Sequence, residues 1–442
     1  MLNGKIKLKG KIQLKVPIQE FFESASASGI LLMMMAILAL IIANSPISKY
    51  YFELLETHIT IGVPYITLDK SLLHWINDGL MALFFLLVGM EIKRELVMGV
   101  LSDFKSAMLP IIAAFGGAVV PAIIYLILNS GTPYERGWGI PMATDIAFAV
   151  GVLMLLGSRI PMWAKIFLTA LAVADDLMAV LIIAAFYTSE ISMTALEIAA
   201  VAVLVLAFLN WKNINSIAIY ILVGIVLWLA ILKSGIHATI AGVILGILIP
   251  VKNTLDKKEL INNAQKGVSL LREHFNDEKN ESSGLKVSAL NYLGDVVKNS
   301  ESPLLRLEHK LQPWVAFLVV PLFAFANSGL ILNVDTISVA FSSTLSWGII
   351  LGLFFGKQLG IFLPSVLILK YGNIDVKFNK QNVIIFYGLS ILGGIGFTMS
   401  LFISGLAFDN PAFLENAKIG IIAVSLFNGL LGYFVLKYFV KE

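Results

Sequence analysis

The sequence predicts an all-α polytopic membrane protein with about 12 transmembrane helices. Hydrophobic residues make up 58% of its 442 positions and charged residues only 14%, with a mean hydropathy of +0.86. Average soluble domains carry about 25% charged residues, so this composition excludes a large water-soluble core. Two further observations favour the same class. Apolar runs alternate with polar connections along the chain, and several of these runs contain charged residues.

Twelve apolar runs are candidates for membrane crossings, although several are short or are interrupted by Gly, Pro or charge. The predicted crossings are residues 29–43, 72–90, 107–128, 138–157, 163–187, 193–210, 216–232, 236–250, 313–332, 345–369, 382–405 and 416–436. The chain is thereby divided into a basic N-terminal arm (1–28), helices 1 to 8 (29–250), a long loop (251–312), and helices 9 to 12 with a short tail (313–442). Because many apolar runs follow the first, the arm is predicted to be retained rather than cleaved as a signal.

The distribution of Lys and Arg predicts the orientation in the membrane. Alternate connections carry 26 and 5 of these residues, and the richer side is cytoplasmic by the positive-inside rule. Both termini, the arm and the long loop are therefore expected in the cytoplasm. The absence of Cys excludes disulfide and zinc-thiolate chemistry. No sequence pattern calls for a cofactor or for nucleic acid as a partner.

The first external connection, residues 57–70, contains two short β-branched runs around Gly62 and Pro64. This pattern predicts a small β-hairpin. A two-stranded hairpin is marginally stable alone and has exposed edges, so the sequence favours pairing with a second copy of the chain. A loop packed on its own subunit is the alternative.

Two adjacent carboxylates, Asp175 and Asp176, lie at the centre of the crossing 163–187. Each buried Asp costs roughly 2.5 to 3.5 kcal/mol at the bilayer midplane, so partners, water or a bound cation must offset the cost. Adjacent side chains on a helix point about 100° apart, which lets one face a cavity while the other reaches a partner. The pair favours a cation pathway over two merely structural acids.

Two other crossings contain interruptions near their centres. The fourth has Pro141 shortly before Thr144 and Asp145, and the eleventh has a glycine cluster that includes Gly394 and Gly396. Proline removes a helical hydrogen bond and glycine weakens a helix, so both crossings are predicted to be broken at mid-depth. Broken helices at corresponding places in two halves of a chain are the best sequence indicator of a transporter's binding site.

Charges near the predicted breaks complete a candidate site. At a break, half-helix N-termini are partly positive and C-termini partly negative. Asp145 is placed to offset the first and Lys357, in the tenth crossing, to offset the second; neutralisation without substrate contact is the alternative for each. Three acids and one base leave a net negative site that suits a small cation. Burial and like charge also favour the protonated carboxylates, so cation and proton compete for the same oxygens.

Acidic residues outside this centre are candidates for a response to pH. Glu91 and Glu95 lie in a charged cluster at the inner end of the second crossing. Such clusters are usually solvated helix ends. The functional alternative for Glu91 and Glu95 is an entry funnel that attracts cations.

Six passages together closely resemble the NhaA family of bacterial sodium/proton antiporters, and they cover the chain from about Gly29 to the last helix. The matching passages are INDGLMALFFLLVGMEIKREL, IPMATDIAFAVGVLMLLGSRIP, KIFLTALAVADDLMAV, KSGIHATIAGVILG, PWVAFLVVPLFAFANSGL and GGIGFTMSLFI. The chain departs from the family pattern in its longer loop before helix 9, its extended basic arm, and Gln312, where a second histidine is common. These departures bear on regulation.

The resemblance implies a fold and an activity. Helices 3–5 and 10–12 are expected to form inverted repeats, with helices 4 and 11 broken where they cross. The implied activity is electrogenic and pH-regulated, exporting Na⁺ or Li⁺ by alternating access as more than one proton enters, in a bacterial inner membrane. The external hairpin resembles the family's dimer contact.

The resemblance also implies roles for individual residues. Asp175 and Asp176 match the family's essential pair, with Asp176 as the principal cation ligand and Asp175 as the partner of Lys357; both exchange protons. Thr144 and Asp145 match the broken fourth helix, and Gly394 and Gly396 fall in the matching passage of the eleventh. Glu91, Glu95 and Glu308 match positions associated with the response to pH.

Three other function classes are alternatives from the residues alone. A sodium-coupled solute symporter would need a larger solute site. A channel suits a continuous pore better than charged residues at broken crossings. An intramembrane aspartyl protease also needs membrane carboxylates, but it needs them on separate helices, and its GxGD pattern is absent.

Overall fold

The computed structural model describes residues 17–63, 66–188, 191–251, 257–275, 283–372 and 376–440. All five lysines of the predicted arm and the polar centre of the long loop, residues 276–282, lie outside the described residues. Apart from one two-stranded hairpin, the regular elements of the described chain are helices. The all-α prediction is therefore confirmed.

The described elements are two strands and seventeen helices, joined by short 3₁₀ segments. Their bounds are α1 Pro17–Ala43, α2 Ser48–Glu56, β1 His58–Val63, β2 Ile66–Ser71, α3 Leu72–Met98, α4 Phe104–Asn129, the 3₁₀ helix Glu135–Met142, α5 Ile146–Met154, α6 Met162–Phe186, α7 Met193–Trp211, α8 Ile217–Leu232, α9 Thr239–Leu248, α10 Lys257–Phe275, α11 Ser283–Ser300, α12 Pro303–Ser328, α13 Val334–Ser342, α14 Thr344–Tyr371, α15 Lys380–Leu392, α16 Phe397–Ala407 and α17 Pro411–Phe439.

The described helices include enough apolar length for the predicted crossings. Nine helical spans are long and apolar enough to cross a membrane, counting the 3₁₀ helix with α5 as one span. Helices α15 and α16 form a further span bent by 40°, and α8 and α9 are shorter apolar helices. Each of the twelve predicted segments coincides with one of these elements. The prediction of a polytopic membrane protein is confirmed.

Helix α1 begins at Pro17, earlier than the predicted start at residue 29. Proline is favoured at the first helical position because its missing N–H group would have no helical partner there. No Pro or Gly follows until Gly29, so the helix continues through a polar stretch that hydropathy alone does not mark. The region predicted as an arm therefore ends in a helix.

Strands β1 and β2 pair antiparallel across residues 58–71, where the sequence predicts a hairpin. Thr60 lies opposite Asp69, and its hydroxyl donates to the carboxylate at 2.8 Å; His58 Nδ1 lies 3.3 Å from the other carboxylate oxygen. Hydrogen bonds from Thr60 and His58 lower the pKa of the exposed Asp69 below its usual value. The predicted turn residue Pro64 lies outside the described residues.

Three membrane helices contain a π-helical turn, in which each N–H group bonds five residues back. The turns are Trp75–Leu80 in α3, Val315–Val319 in α12 and Gly352–Gly356 in α14. Such turns are rare and occur frequently at functional sites. The third immediately precedes the predicted site residue Lys357.

The described chain divides into two compact units. One contains Phe85–Arg94 and Glu190–Gln312. Within this unit the middle of α3 approaches α9 closely. A Cβ atom added to Gly89 would lie 2.6 Å from the Val243 carbonyl oxygen, so glycine permits the backbone contact. The long loop in this unit contains helices α10 and α11, which pack on each other.

The other unit contains the remaining described residues, including both broken crossings. Two triplets share one order of elements: α4, a broken crossing and α6, then α14, a broken crossing and α17. This is the order that predicted repeats of helices 3–5 and 10–12 require. The first helices of the triplets, α4 and α14, touch through Gly116 and Gly360, where a Cβ on either residue would overlap the other's carbonyl.

Candidate functional site

Helix α6 places Asp175 and Asp176 in the interior of the protein. The helix is continuous over 25 residues and rich in Ala around the two acids. Asp175 is 2% exposed and Asp176 is 1% exposed. Because successive side chains point about 100° apart, the two carboxylates face different neighbours.

Asp175 pairs with Lys357. Lys357 Nζ lies 2.7 Å from Asp175 Oδ2, and the lysine is completely buried. The second carboxylate oxygen, Oδ1, accepts no hydrogen bond among the described residues. In α14, regular α-helical geometry resumes at Lys357, directly after the π turn Gly352–Gly356. The pairing of Asp175 with Lys357 expected from the resemblance is therefore present in the structure.

The fourth crossing is interrupted between the 3₁₀ helix and α5, at residues 143–145. Asp145 is the N-cap of α5: its Oδ1 accepts from the Phe148 N–H at 2.9 Å. Its Oδ2 accepts from the Thr398 N–H at 3.0 Å and from the Thr398 hydroxyl at 2.5 Å. Thr398 lies in the first turn of α16. The Asp145 carboxylate thus accepts hydrogen bonds from the N-terminal turns of both α5 and α16, where negative charge is stabilising.

The eleventh crossing is interrupted between α15 and α16, and its backbone bonds to the first break. The Thr144 hydroxyl donates to the Gly393 carbonyl at 2.7 Å, and the Asp145 N–H donates to the Ile395 carbonyl at 2.7 Å. Gly394 lies so close to Leu353 and Asn428 that a Cβ atom would overlap both. Glycine is required there because three chain segments meet at the break.

The second glycine of the cluster, Gly396, is the N-cap of α16. A Cβ atom at this position would overlap the Ser400 hydroxyl. The Ser400 hydroxyl itself donates to the Ile140 carbonyl at 2.8 Å, which ties α16 to the 3₁₀ helix of the first broken crossing. Both predicted glycines therefore permit close approaches at the crossing point.

The carbonyl ends of α15 are satisfied by neutral groups. The Thr144 hydroxyl donates a hydrogen bond to the Gly393 carbonyl, and the Asn428 side-chain amide donates one to the Gly394 carbonyl at 2.7 Å. Lys357, which the sequence analysis assigns to the negative helix ends, has its ion pair with Asp175 instead. Its charge therefore balances a carboxylate rather than the helix termini.

The structure brings Lys357 together with Asp175, whose neighbour in sequence is Asp176, whereas Asp145 bonds to Phe148 and Thr398 at the two helix breaks. Asp145, Asp175, Asp176 and Lys357 are each at most 2% exposed. Buried charges are tolerated when they are paired, hydrogen-bonded or bound to an ion. Carboxylate oxygens are suitable ligands for small hard cations and are also proton acceptors. Among the described residues, no group of three or more His, Cys, Asp or Glu side chains is placed to hold a metal ion.

The three acids predicted to respond to pH occupy separate places. Glu308 forms an ion pair with Arg94 and is 1% exposed. Glu95 accepts a hydrogen bond from the Val100 N–H at 3.0 Å, just past the end of α3. Glu91 is half-buried on α3. Two residues after Glu91, the Lys93 ammonium donates to the carbonyl of Ile249, the C-cap of α9, at 2.5 Å.

Two residues at the second break are not among the site residues predicted from the sequence. Ser425 and Asn428 on α17 are both completely buried and bond to the backbone of the eleventh crossing. Their signal is visible in the stretch AVSLFNGLLG, where two polar residues three positions apart interrupt an apolar helix. Polar groups inside a membrane helix almost always face the interior of the bundle.

Nearly the whole chain is similar to proteins named as sodium/proton antiporters. It matches the family described as Na⁺/H⁺ antiporter 1 over residues 19–436. A protein named Na(+)/H(+) antiporter NhaA 1 from Clostridium beijerinckii is 46% identical, over 98% of this chain and 97% of the relative. A protein named Na(+)/H(+) antiporter NhaA from Oleidesulfovibrio alaskensis is 44% identical, over 97% of this chain and 95% of the relative.

A solved structure, that of the sodium proton antiporter MjNhaP1 from Methanocaldococcus jannaschii at pH 8, aligns with 95% of this chain and 100% of its own, at 15% identity and a TM-score of 0.46. The family match and the sequence relatives extend over nearly the full chain, and those relatives are named as transporters rather than enzymes. They confirm the resemblance given by the motifs: this chain belongs to the Na⁺/H⁺ antiporter 1 family.

Proposed function

We propose that this protein exchanges Na⁺ or Li⁺ for H⁺ across a bacterial inner membrane. The observation that carries the proposal is the buried ion pair of Asp175 and Lys357, next in sequence to the buried Asp176, in a chain whose two broken crossings are joined through Asp145. The family membership and the names of the relatives support the same activity. Such a site can hold a small cation on carboxylate oxygens or protons on the same oxygens, but not both at once.

Asp176 is the principal cation ligand in this proposal, and Asp175 is the second. Lys357 Nζ lies 2.7 Å from Asp175 Oδ2. An arriving cation offers Asp175 a new positive partner and loosens its ion pair with Lys357. In the return half of the transport cycle, Asp175 and Asp176 both carry protons in place of the cation. One cation leaves as more than one proton enters, so each cycle moves net charge.

The linkage between the two breaks supports alternating access. The Asp145 N–H and the Thr144 hydroxyl bond to carbonyls of the other broken crossing, so the two broken crossings move as one piece. Interrupted helices are a common device for presenting backbone and side-chain oxygens at mid-membrane. Movement of this piece exposes the acids to one side at a time, and competition at one site is then sufficient for exchange.

The proposal also includes the orientation of the protein in the membrane, its assembly as a dimer and its regulation by pH. The excess of Lys and Arg in alternate connections supports cytoplasmic termini. The hairpin of β1 and β2 pairs with its counterpart in a homodimer, because each strand has an outer edge that pairs with no other strand of the described chain. Glu91, Glu95 and Glu308 adjust activity to pH from the inner end of α3 and the start of α12.

The experiment uses inside-out vesicles that contain the protein and are energised to acidify their interior. Addition of Na⁺ or Li⁺ should dissipate the proton gradient, whereas K⁺ should not. Asp176→Asn should abolish the response while leaving the amount of inserted protein unchanged. Asp335→Asn, which removes an exposed acid in the first turn of α13, is the matched control and should exchange normally. Wild-type exchange in Asp176→Asn would reject the assignment of the site.

A further inference from the structure

Helix α17 contributes two buried polar side chains to the second break, Ser425 and Asn428. Both are 0% exposed, although the helix around them is apolar. Residues three apart are neighbours on one face of a helix, so both side chains address the same region. That region is the gap between α15 and α16, and the two residues are called the 425/428 pair below.

Asn428 donates hydrogen bonds to carbonyl groups at the α15 end of the gap and on α14. Its Nδ2 donates to the Gly394 carbonyl at 2.7 Å and to the Leu353 carbonyl at 3.2 Å. Gly394 follows the end of α15, and Leu353 lies in the π turn of α14. Reversing the amide would place its oxygen against two carbonyl oxygens, so these contacts fix which atom is the donor. One side chain therefore ties three membrane helices together.

Ser425 accepts a hydrogen bond from the N-terminus of α16, on the other side of the gap. Its Oγ accepts from the Phe397 N–H at 3.1 Å. Phe397 is the first residue of α16, and the first four N–H groups of a helix have no partner within the helix. A donor thus meets the carbonyl end of one half-helix and an acceptor meets the N–H end of the other. The 425/428 pair matches the polarity of the break.

The same N-terminus of α16 is bound on its other side by Asp145, through Thr398. Phe397 and Thr398 are adjacent, so any shift of the Phe397 N–H also moves the donors that hold Asp145. We infer that Ser425 and Asn428 are positioning residues for the cation site, which set the place of the α16 N-terminus and through it the place of Asp145. This inference rests on the proposed exchange of cations for protons at that site.

The neutral character of the pair fits a positioning role. In the first triplet the last helix, α6, carries the charged residues Asp175 and Asp176 at mid-length. In the second triplet the last helix, α17, carries an amide and a hydroxyl. A neutral pair satisfies the backbone at the break without adding a carboxylate that would compete for the cation.

The test compares three variants in proteoliposomes. Asn428→Leu removes both donated hydrogen bonds at similar volume, Ser425→Ala removes the accepted one, and Asn428→Ser keeps a single donor. We expect Asn428→Leu to raise the apparent KM for Na⁺ about tenfold, the scale of two lost neutral hydrogen bonds. The maximal rate should change less than about threefold, since Asp175, Asp176 and Lys357 remain. Ser425→Ala should raise KM less, and Asn428→Ser should recover part of the loss.

Ser342→Ala is the control, because Ser342 is exposed on α13 and bonds only within its own helix. Its KM should equal that of the wild type. An unchanged KM in Asn428→Leu, or a fall in rate with KM constant that follows the yield of folded protein, would overturn the positioning role.

Amide hydrogen exchange separates this inference from the proposed function, because it needs no transport. Faster exchange across residues 393–398 in Asn428→Leu and Ser425→Ala than in the wild type supports the contacts that the pair makes. Equal exchange in wild type and variants would overturn them. A wild-type protein that moves no Na⁺ or Li⁺, with faster exchange in the variants, would reject the antiport proposal and with it the role in positioning a cation site, but not the contacts.

Discussion

Removing the lysine of the buried ion pair should destabilise the protein strongly. Lys357 is completely buried and Asp175 is 2% exposed, with 2.7 Å between Nζ and Oδ2. Lys357→Met keeps the length of the side chain but leaves the carboxylate without its positive partner. Because Asp175 Oδ1 accepts no hydrogen bond among the described residues, no second contact there offsets the loss.

The magnitude follows from this burial. Breaking a buried ion pair by removing one partner costs about 3–5 kcal/mol, whereas replacing both partners by apolar residues is often close to neutral. The double variant Lys357→Met/Asp175→Leu should therefore recover to within about 1 kcal/mol of the wild type. Typical domains are stable by only about 5–15 kcal/mol, so the single variant loses a large fraction of the total.

The assay is reversible unfolding in mixed micelles by titration with a denaturing detergent, followed by tryptophan fluorescence, on wild type, the single variant and the double variant. The free energy of unfolding should fall in Lys357→Met and return in the double variant. A single variant within about 1 kcal/mol of the wild type would refute the reasoning, since the range for a broken buried pair lies well above that. A double variant no more stable than the single would refute it too.

Three further predictions concern other parts of the chain. Gly394→Ala should lower the thermal midpoint and the folded yield because its Cβ would overlap neighbouring groups, whereas Gly405→Ala, in open space on α16, should leave both unchanged or slightly improved. Arg94→Gln removes the positive charge that Arg94 places beside the buried Glu308, so the pH profile of vesicle exchange should shift relative to wild type, and an identical profile would contradict a role for this pair. The pKa of Asp69 is lowered in the folded hairpin, so its stabilising contribution is present above the ordinary value of 3.8 and is lost as pH falls through the folded value; amide exchange in the hairpin should show this acid sensitivity in wild type but not in Asp69→Asn.

The sequence predicts the crossings well because a membrane imposes a strong local condition. Each crossing needs about 20 apolar residues, and that requirement is visible in any window of the chain. Helix α1 shows the limit: its polar first turns follow Pro17, and hydropathy does not detect a helix that extends beyond the apolar core. The π turns are invisible for a related reason, since helix packing rather than composition produces them.

The acids of the candidate site stand out because charge within a membrane segment is costly and needs a compensating partner. Their partners are harder to predict. Asp145 meets Thr398 across 253 positions, and Lys357 meets Asp175 across 182. Such pairs depend on where two helices cross, and the spacing of residues within one helix carries no information about the position of that crossing. Asn428 illustrates the point, because its partners are backbone carbonyls that have no sequence signature at all.

The π turn Gly352–Gly356 makes the ion pair depend on the number of residues before Lys357 as well as on the identity of the two partners. One residue advances an α-helix by about 100°, and a π turn accommodates one additional residue in a single turn. If this segment relaxed to an ordinary helical turn, everything beyond it would rotate by about that angle relative to Trp347 and its neighbours. The lysine would then face away from Asp175 with no residue replaced. A one-residue deletion within 352–356 would instead remove the additional residue, so the segment could become an ordinary turn with the lysine still facing Asp175.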